Sequence, residues 1–216
     1  MTHLSEGWVA KEKGLFFFWL GAVLVYSTLS LFRHWHFGSN AYDLGIYDQA
    51  IWRYSQWEIP VGTINPFPNM LGDHFDPLVA LLSPLYWVWP RVEAILIAQA
   101  ALLTLPVFPI FFFTEKRLGR AAGYCFAVSY ALVWGVQLAA EYDFHELSLA
   151  VPAAAFAIYF ADEEKWVPFF ISVFLLAMCK EDMCLLVFFF GLVLVLKTQP
   201  RKGLALAAGA LALFLF

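Results

Sequence analysis

Long apolar runs separated by short charged loops set the layout of this chain. The runs fall at residues 14–32, 76–90, 93–113, 121–140, 147–161, 166–179, 183–197 and 203–216. They predict an all-α, polytopic integral membrane protein in a single transmembrane domain, 1–216. The first run is about 19 residues, long enough to cross a hydrocarbon core and longer than the usual signal-peptide core. With no small-x-small cleavage site behind it, it reads as a retained signal-anchor helix. The last run reaches Phe216 with no closing polar flank, which predicts truncation on the C-terminal side.

Lysine and arginine decide which runs cross, because cytoplasmic loops are enriched in them. Suppose that 76–90, which is short and holds Pro77, Pro84 and Pro90, lies on or dips into the outer face. The N-terminus and the loops at 114–120, 162–165 and 197–202 then share the cytoplasmic side. They carry Lys11, Lys13, Lys116, Arg117, Arg120, Lys165, Lys197, Arg201 and Lys202, nine of the thirteen basic residues. A crossing at 76–90 flips every later loop and spoils this count. The expectation is about seven membrane segments, a cytoplasmic N-terminus, and a long extracytoplasmic loop over 33–92 carrying surface helices. One such helix is predicted after Asn40, with Leu44, Tyr47, Ile51 and Tyr54 on its apolar stripe and Asp48, Gln49 and Arg53 opposite.

Composition agrees with this class. Apolar residues make up 62% of the chain and charged residues 14%, against about 25% charged in soluble domains. The few scattered basic residues give no nucleic-acid footprint. Cys125, Cys179 and Cys184 have no framework spacing and read as small buried apolar residues. A local bridge between Cys179 and Cys184 is the alternative.

Four polar clusters interrupt the apolar pattern, and the topology puts all four on the extracytoplasmic side. Ionisable groups beside hydrocarbon need pairing, water or a function. Asn40-Ala41-Tyr42-Asp43 has N-cap spacing, so Asp43 either caps the surface helix or serves a site. Asp76 before Pro77 reads as an N-cap. Asp73 and His74 form a turn that is either structural or able to bind a metal or move a proton. Asp143 to Glu146 has capping-box spacing, Glu141 and His145 suit an ion pair, and His145 is unexplained by capping. The run 166–196 is broken by Lys180-Glu181-Asp182. As one helix it would be about 46 Å long, and as two it gives pieces of about 20 Å, so its charged tip sits below the membrane surface. A lysine at a broken tip is a natural phosphate ligand, and broken segments of this kind point to binding sites.

The motifs Asp43-Leu44-Gly45-x-Tyr47-x-Gln49, Gly72-Asp73-His74-Phe75, Asp143-Phe144-His145 and Cys179-Lys180-Glu181-Asp182 resemble a bacterial family of predicted polytopic membrane proteins of unknown function. More distantly, the layout is similar to the GT-C superfamily of membrane glycosyltransferases, such as the aminoarabinose transferases and protein O-mannosyltransferases. That resemblance implies an acidic catalytic or metal-binding residue early in the first loop, at Asp43. It also implies a Pro-rich surface helix, comparable with 77–89, and a lysine tip that binds the lipid phosphate, at Lys180.

Together these features lead us to expect a glycosyltransferase that takes a sugar from a polyprenyl-phosphate donor at the outer face of the bacterial inner membrane. Asp43, Asp73 and Asp143 are the candidate catalytic residues. Lys180, Glu181, Asp182, His145, Tyr47 and Gln49 are the candidate substrate-binding residues. Glu181 and Asp182 beside a phosphate call for a metal or a protonated state, so a divalent cation shared with Asp73, His74, Glu181 or Asp182 is the candidate cofactor, with Asp73 and His74 its candidate ligands. The alternatives are a transporter or lipid-handling protein without chemistry, or a scaffold whose clusters only cap helices. No internal repeat favours transport.

Overall fold

The computed structural model describes residues 12–64, 66, 69–197 and 199–215, and the N-terminal Lys11 and the terminal Phe216 of the last run lie outside them. All regular elements among these residues are helical; Val61 and Asn69 form one isolated bridge. Helix α1 spans Lys13–Trp35. Helix α2 (Asp43–Ser55) follows, then a 3-10 turn at Met70–Gly72 and a 3-10 segment at Pro77–Leu82 that runs into α3 (Ser83–Val88). The remaining helices are α4 (Val92–Thr104), α5 (Val107–Leu118), α6 (Arg120–Ala131), α7 (Trp134–Glu141), α8 (Leu147–Asp162), α9 (Trp166–Ala177), α10 (Met183–Leu196) and α11 (Pro200–Leu215).

Two helical stretches are long and apolar enough to cross a membrane, Lys13–Trp35 and Val92–Leu118. The pair Arg120–Ala131 and Trp134–Glu141 makes a third if its 43° bend lies within one span. Helices α8, α9 and α10 are apolar but shorter. At 1.5 Å per residue they reach roughly 18–24 Å, less than the roughly 30 Å hydrocarbon core.

The bundle has two polar ends. At one end Arg120 pairs with Glu12 at 2.8 Å, Lys116 with Glu163 at 2.7 Å, and Arg117 with Asp162. These contacts join the start of α1, the α5–α6 junction and the α8–α9 junction. At the other end lie the close of α1, helix α2, the 69–77 loop, the α7–α8 junction and the α9–α10 tip. Between the ends sits an apolar core that includes Ile51, Val79, Ile95, Phe144, Phe169 and Leu176. Helices α10 and α11 pack through glycines: a Cβ on Gly203 would stand 2.6 Å from the Gly191 carbonyl oxygen. Only a bare backbone permits that approach.

Helix α2 departs from the surface-helix expectation in one respect. Its stripe of Leu44, Tyr47 and Ile51 is buried in the main core rather than left for lipid. Helix α3 covers α2 from outside, with the Tyr86 hydroxyl donating to Asp48 at 2.5 Å and the Trp87 indole donating to the Ser55 carbonyl at 2.8 Å.

Candidate polar cavity at one end of the bundle

Three of the local capping expectations are corrected. Helix α2 begins at Asp43 itself, behind Tyr42, with no side-chain cap; the Asn40 backbone N–H instead donates to Asp143 at 2.8 Å. Asp76 does precede Pro77 at the head of the 3-10 segment, but its side chain caps nothing. Helix α8 begins at Leu147 without a capping box, so Asp143 and Glu146 do not act as reciprocal partners. Both are drawn instead into contacts with distant parts of the chain.

Asp143 is fully buried and forms an ion pair with Arg33 at 2.7 Å. This fastens the end of α1 to the α7–α8 junction. Behind it, the buried Gln99 amide donates to the carbonyls of Ala139, Tyr142 and Asp143 and accepts from the His145 N–H at 2.8 Å. One side chain of α4 thus satisfies several groups of an irregular stretch of backbone.

Glu146 is also fully buried. The Tyr47 hydroxyl of α2 donates to it, His145 Nδ1 approaches to 2.7 Å, and Lys180 Nζ approaches to 2.9 Å. Burial works to raise the Glu146 carboxyl, but the His145, Tyr47 and Lys180 contacts outweigh it and hold the group down at about 2. The α9–α10 tip is broken as the sequence predicts, between Ala177 and Met183. The tip is also tied to the 69–77 loop. Glu181 accepts from the Phe75 N–H and contacts His74 Nδ1, each at 2.9 Å, and the Leu78 N–H donates to the Met178 carbonyl at 3.1 Å. Cys179 and Cys184 are free and buried, whereas Cys125 is free but exposed, against the expectation of burial.

These contacts enclose a polar cavity of about 90 Å³. Among the candidate residues, Asp43, Tyr47, Asp73, His74, His145 and Lys180 line it, drawn from all four clusters. Asp43 also accepts from the Tyr142 hydroxyl at 2.8 Å. Four candidates fall elsewhere. Asp143 is taken by Arg33. Glu181 stands behind His74. Gln49 binds the Thr63 N–H at 2.8 Å on the opposite side of α2. Asp182 points to the exposed surface.

The cavity also contains a residue that spacing assigned to capping. Asp76 lines it, is fully buried, and has no hydrogen-bond partner for either carboxyl oxygen among the described residues. Burial pushes its carboxyl up to about 7, and neighbouring Glu146 adds to the effect against a lowering by His74. The sequence offered one signal for this, an acid flanked by Phe75 and Pro77 at the head of an apolar run. No group of three metal-ligating side chains converges on a common point among the described residues. Asp73 and His74 share the cavity wall.

Two outcomes follow for stability. Arg33→Met leaves the buried Asp143 charge without its partner and should cost about 3 kcal/mol. Adding Asp143→Asn removes the stranded charge while keeping an acceptor for Asn40, and should recover more than half of that loss in thermal unfolding. A double variant no more stable than Arg33→Met would refute a structural ion pair. The second outcome concerns pH. The folded-state value of Asp76 lies above its ordinary 3.8, so ionisation penalises the folded state. The penalty is absent below about pH 4, grows as pH rises, and is complete above about pH 7. Between pH 4 and pH 8 the melting difference should therefore move in favour of Asp76→Asn by up to a few kcal/mol. Glu146 titrates in both proteins and cancels. A difference flat with pH would show that Asp76 is charged throughout.

No curated protein and no solved structure matches this chain. A family model described as "Predicted membrane protein (DUF2079)" matches residues 33–216, a span that takes in every group placed around the cavity. The chain is therefore a member of the DUF2079 family of predicted membrane proteins.

Proposed function

We propose that this membrane protein is a glycosyltransferase that takes a sugar from a polyprenyl-phosphate donor at the face where the polar cavity opens. The observation that carries the proposal is convergence. Side chains from α2, the 69–77 loop, the α7–α8 junction and the α9–α10 tip share one small cavity. Asp43 would take the proton of the acceptor hydroxyl as general base, and Asp73 on the same wall is the second candidate. The Lys180 side chain is 15% exposed and contacts Glu146. An ammonium has three donors, so donors remain for a phosphate oxygen of the leaving lipid. Displacement at the anomeric carbon would then transfer the sugar and release the lipid phosphate.

The proposal includes a topology. The two polar ends separate the clusters from the basic loops, in keeping with seven membrane segments, a cytoplasmic N-terminus and an outward-facing cavity in the bacterial inner membrane. Cysteines introduced at Ser39 and Asn69, in a background with the native cysteines replaced, should both react with an impermeant thiol reagent added from outside. One at Gly119 should react only from the cytoplasm. Labelling of Ser39 and Gly119 from the same side would sink this topology.

The chemistry is tested with a panel of radiolabelled polyprenyl-phosphate hexoses and the full chain in membranes. Asp43→Asn should abolish transfer while leaving donor binding nearly intact. Lys180→Ala should weaken donor binding by roughly ten- to hundredfold, the equivalent of one charge-assisted hydrogen bond. Absence of donor binding in the parent protein would defeat the proposal. Unchanged transfer in Asp43→Asn would move the base to Asp73.

A further inference from the structure

The cavity and the groups behind it hold more carboxyl groups than basic ones. Asp43, Asp73 and Asp76 line it, together with Lys180, His74 and His145. The basic groups are already engaged from behind: Glu146 contacts Lys180 and His145, and Glu181 contacts His74. The lining groups and these partners therefore comprise five carboxyl groups against one lysine and two imidazoles. Even with both rings protonated and Asp76 neutral, carboxylates exceed cations by one. Within this set Asp76 is fully buried with neither oxygen satisfied among the described residues, and such an acceptor costs free energy until a donor reaches it.

An excess of acceptors, a deficit of positive charge and one unsatisfied buried carboxylate are complemented by a group that brings N–H donors and a charge together. Size narrows the choice. A cavity of about 90 Å³ is small, with room for several water-sized groups. An ammonium on a methylene fits this space. A trimethylammonium is bulkier and has no N–H to donate.

We propose that the cavity is a binding site for a primary ammonium group, seated on Asp76 with Asp43 at the rim. The group arrives either on the headgroup of an ethanolamine lipid or on a free amine. This inference does not rest on sugar transfer, because the site would hold an ammonium whether the ligand is transferred, carried or simply bound.

The test uses the purified full chain in detergent with no sugar donor present, so its outcome is independent of the transfer assay. Thermal unfolding is followed with ethanolamine and choline, and in mixed micelles containing phosphatidylethanolamine or phosphatidylcholine. At least one primary-ammonium probe should raise the melting temperature, and choline and phosphatidylcholine should not. A response to the lipid alone assigns the lipid source, and a response to ethanolamine assigns a free amine. Asp76→Asn should weaken the effective probe by at least about tenfold and Asp43→Asn by severalfold. Glu164→Gln, at the opposite end, should leave the response unchanged. If Asp76→Asn fails to fold, the Asp43→Asn result decides. Silence from both primary-ammonium probes, a choline response equal to that of ethanolamine, or an undiminished response in the cavity variants overturns the proposal.

Discussion

A carboxylate moved out of water loses its solvation where neighbouring charges act on it most strongly, so it must be compensated on the spot. Glu146 is compensated by Tyr47 from α2, by adjacent His145, and by Lys180 from the α9–α10 tip. One side chain therefore fixes three segments relative to one another. Placing Lys180 also places Glu181, which reaches the 69–77 loop through His74 and the Phe75 N–H. That loop in turn carries Asp76 into the cavity. The position of each lining residue traces back to how one buried charge is balanced.

The coarse organisation was legible in the sequence because it follows from solvent preference. Apolar runs became helices, and lysine and arginine counting separated the basic loops from the four polar clusters. The break at Lys180 was legible too, since three consecutive charges have no place within a continuous apolar helix. The work of individual carboxylates was not. Asn40–Asp43, Asp143–Glu146 and Asp76–Pro77 all have capping spacing, yet Asp143 is claimed by Arg33 and Asn40, 110 and 103 positions away. Local spacing carries no information about partners at that separation. The capping spacing of Glu146 and Asp76 is uninformative for the same reason.

Helix geometry accounts for a second group of differences. Gln49 lies two positions after Tyr47, about 200° around α2, so a motif holding both cannot aim both at one cavity. Tyr47 faces Glu146, and Gln49 turns away to Thr63. The apolar stripe of α2 was read against the wrong solvent. Periodicity shows that one face avoids water, but lipid and protein interior satisfy that demand equally. Here the interior takes the stripe, leaving α3 to cover the outer side.

The short helices are what make a buried polar site feasible. Irregular backbone inside an apolar bundle is tolerated only when its N–H and C=O groups find partners. Where α7 stops short of α8, Gln99 satisfies three carbonyls and one N–H. Where α9 stops short of α10, the loop ahead of α3 accommodates the tip, with Leu78 and Phe75 donating to it. Each gap is thus closed by polar groups from another segment, and the closures bring their charged neighbours together. Asp76 is the exception, carried inward by the same closure but left without a donor among the described residues. The packing that satisfies the backbone leaves that one acceptor open to whatever enters the cavity.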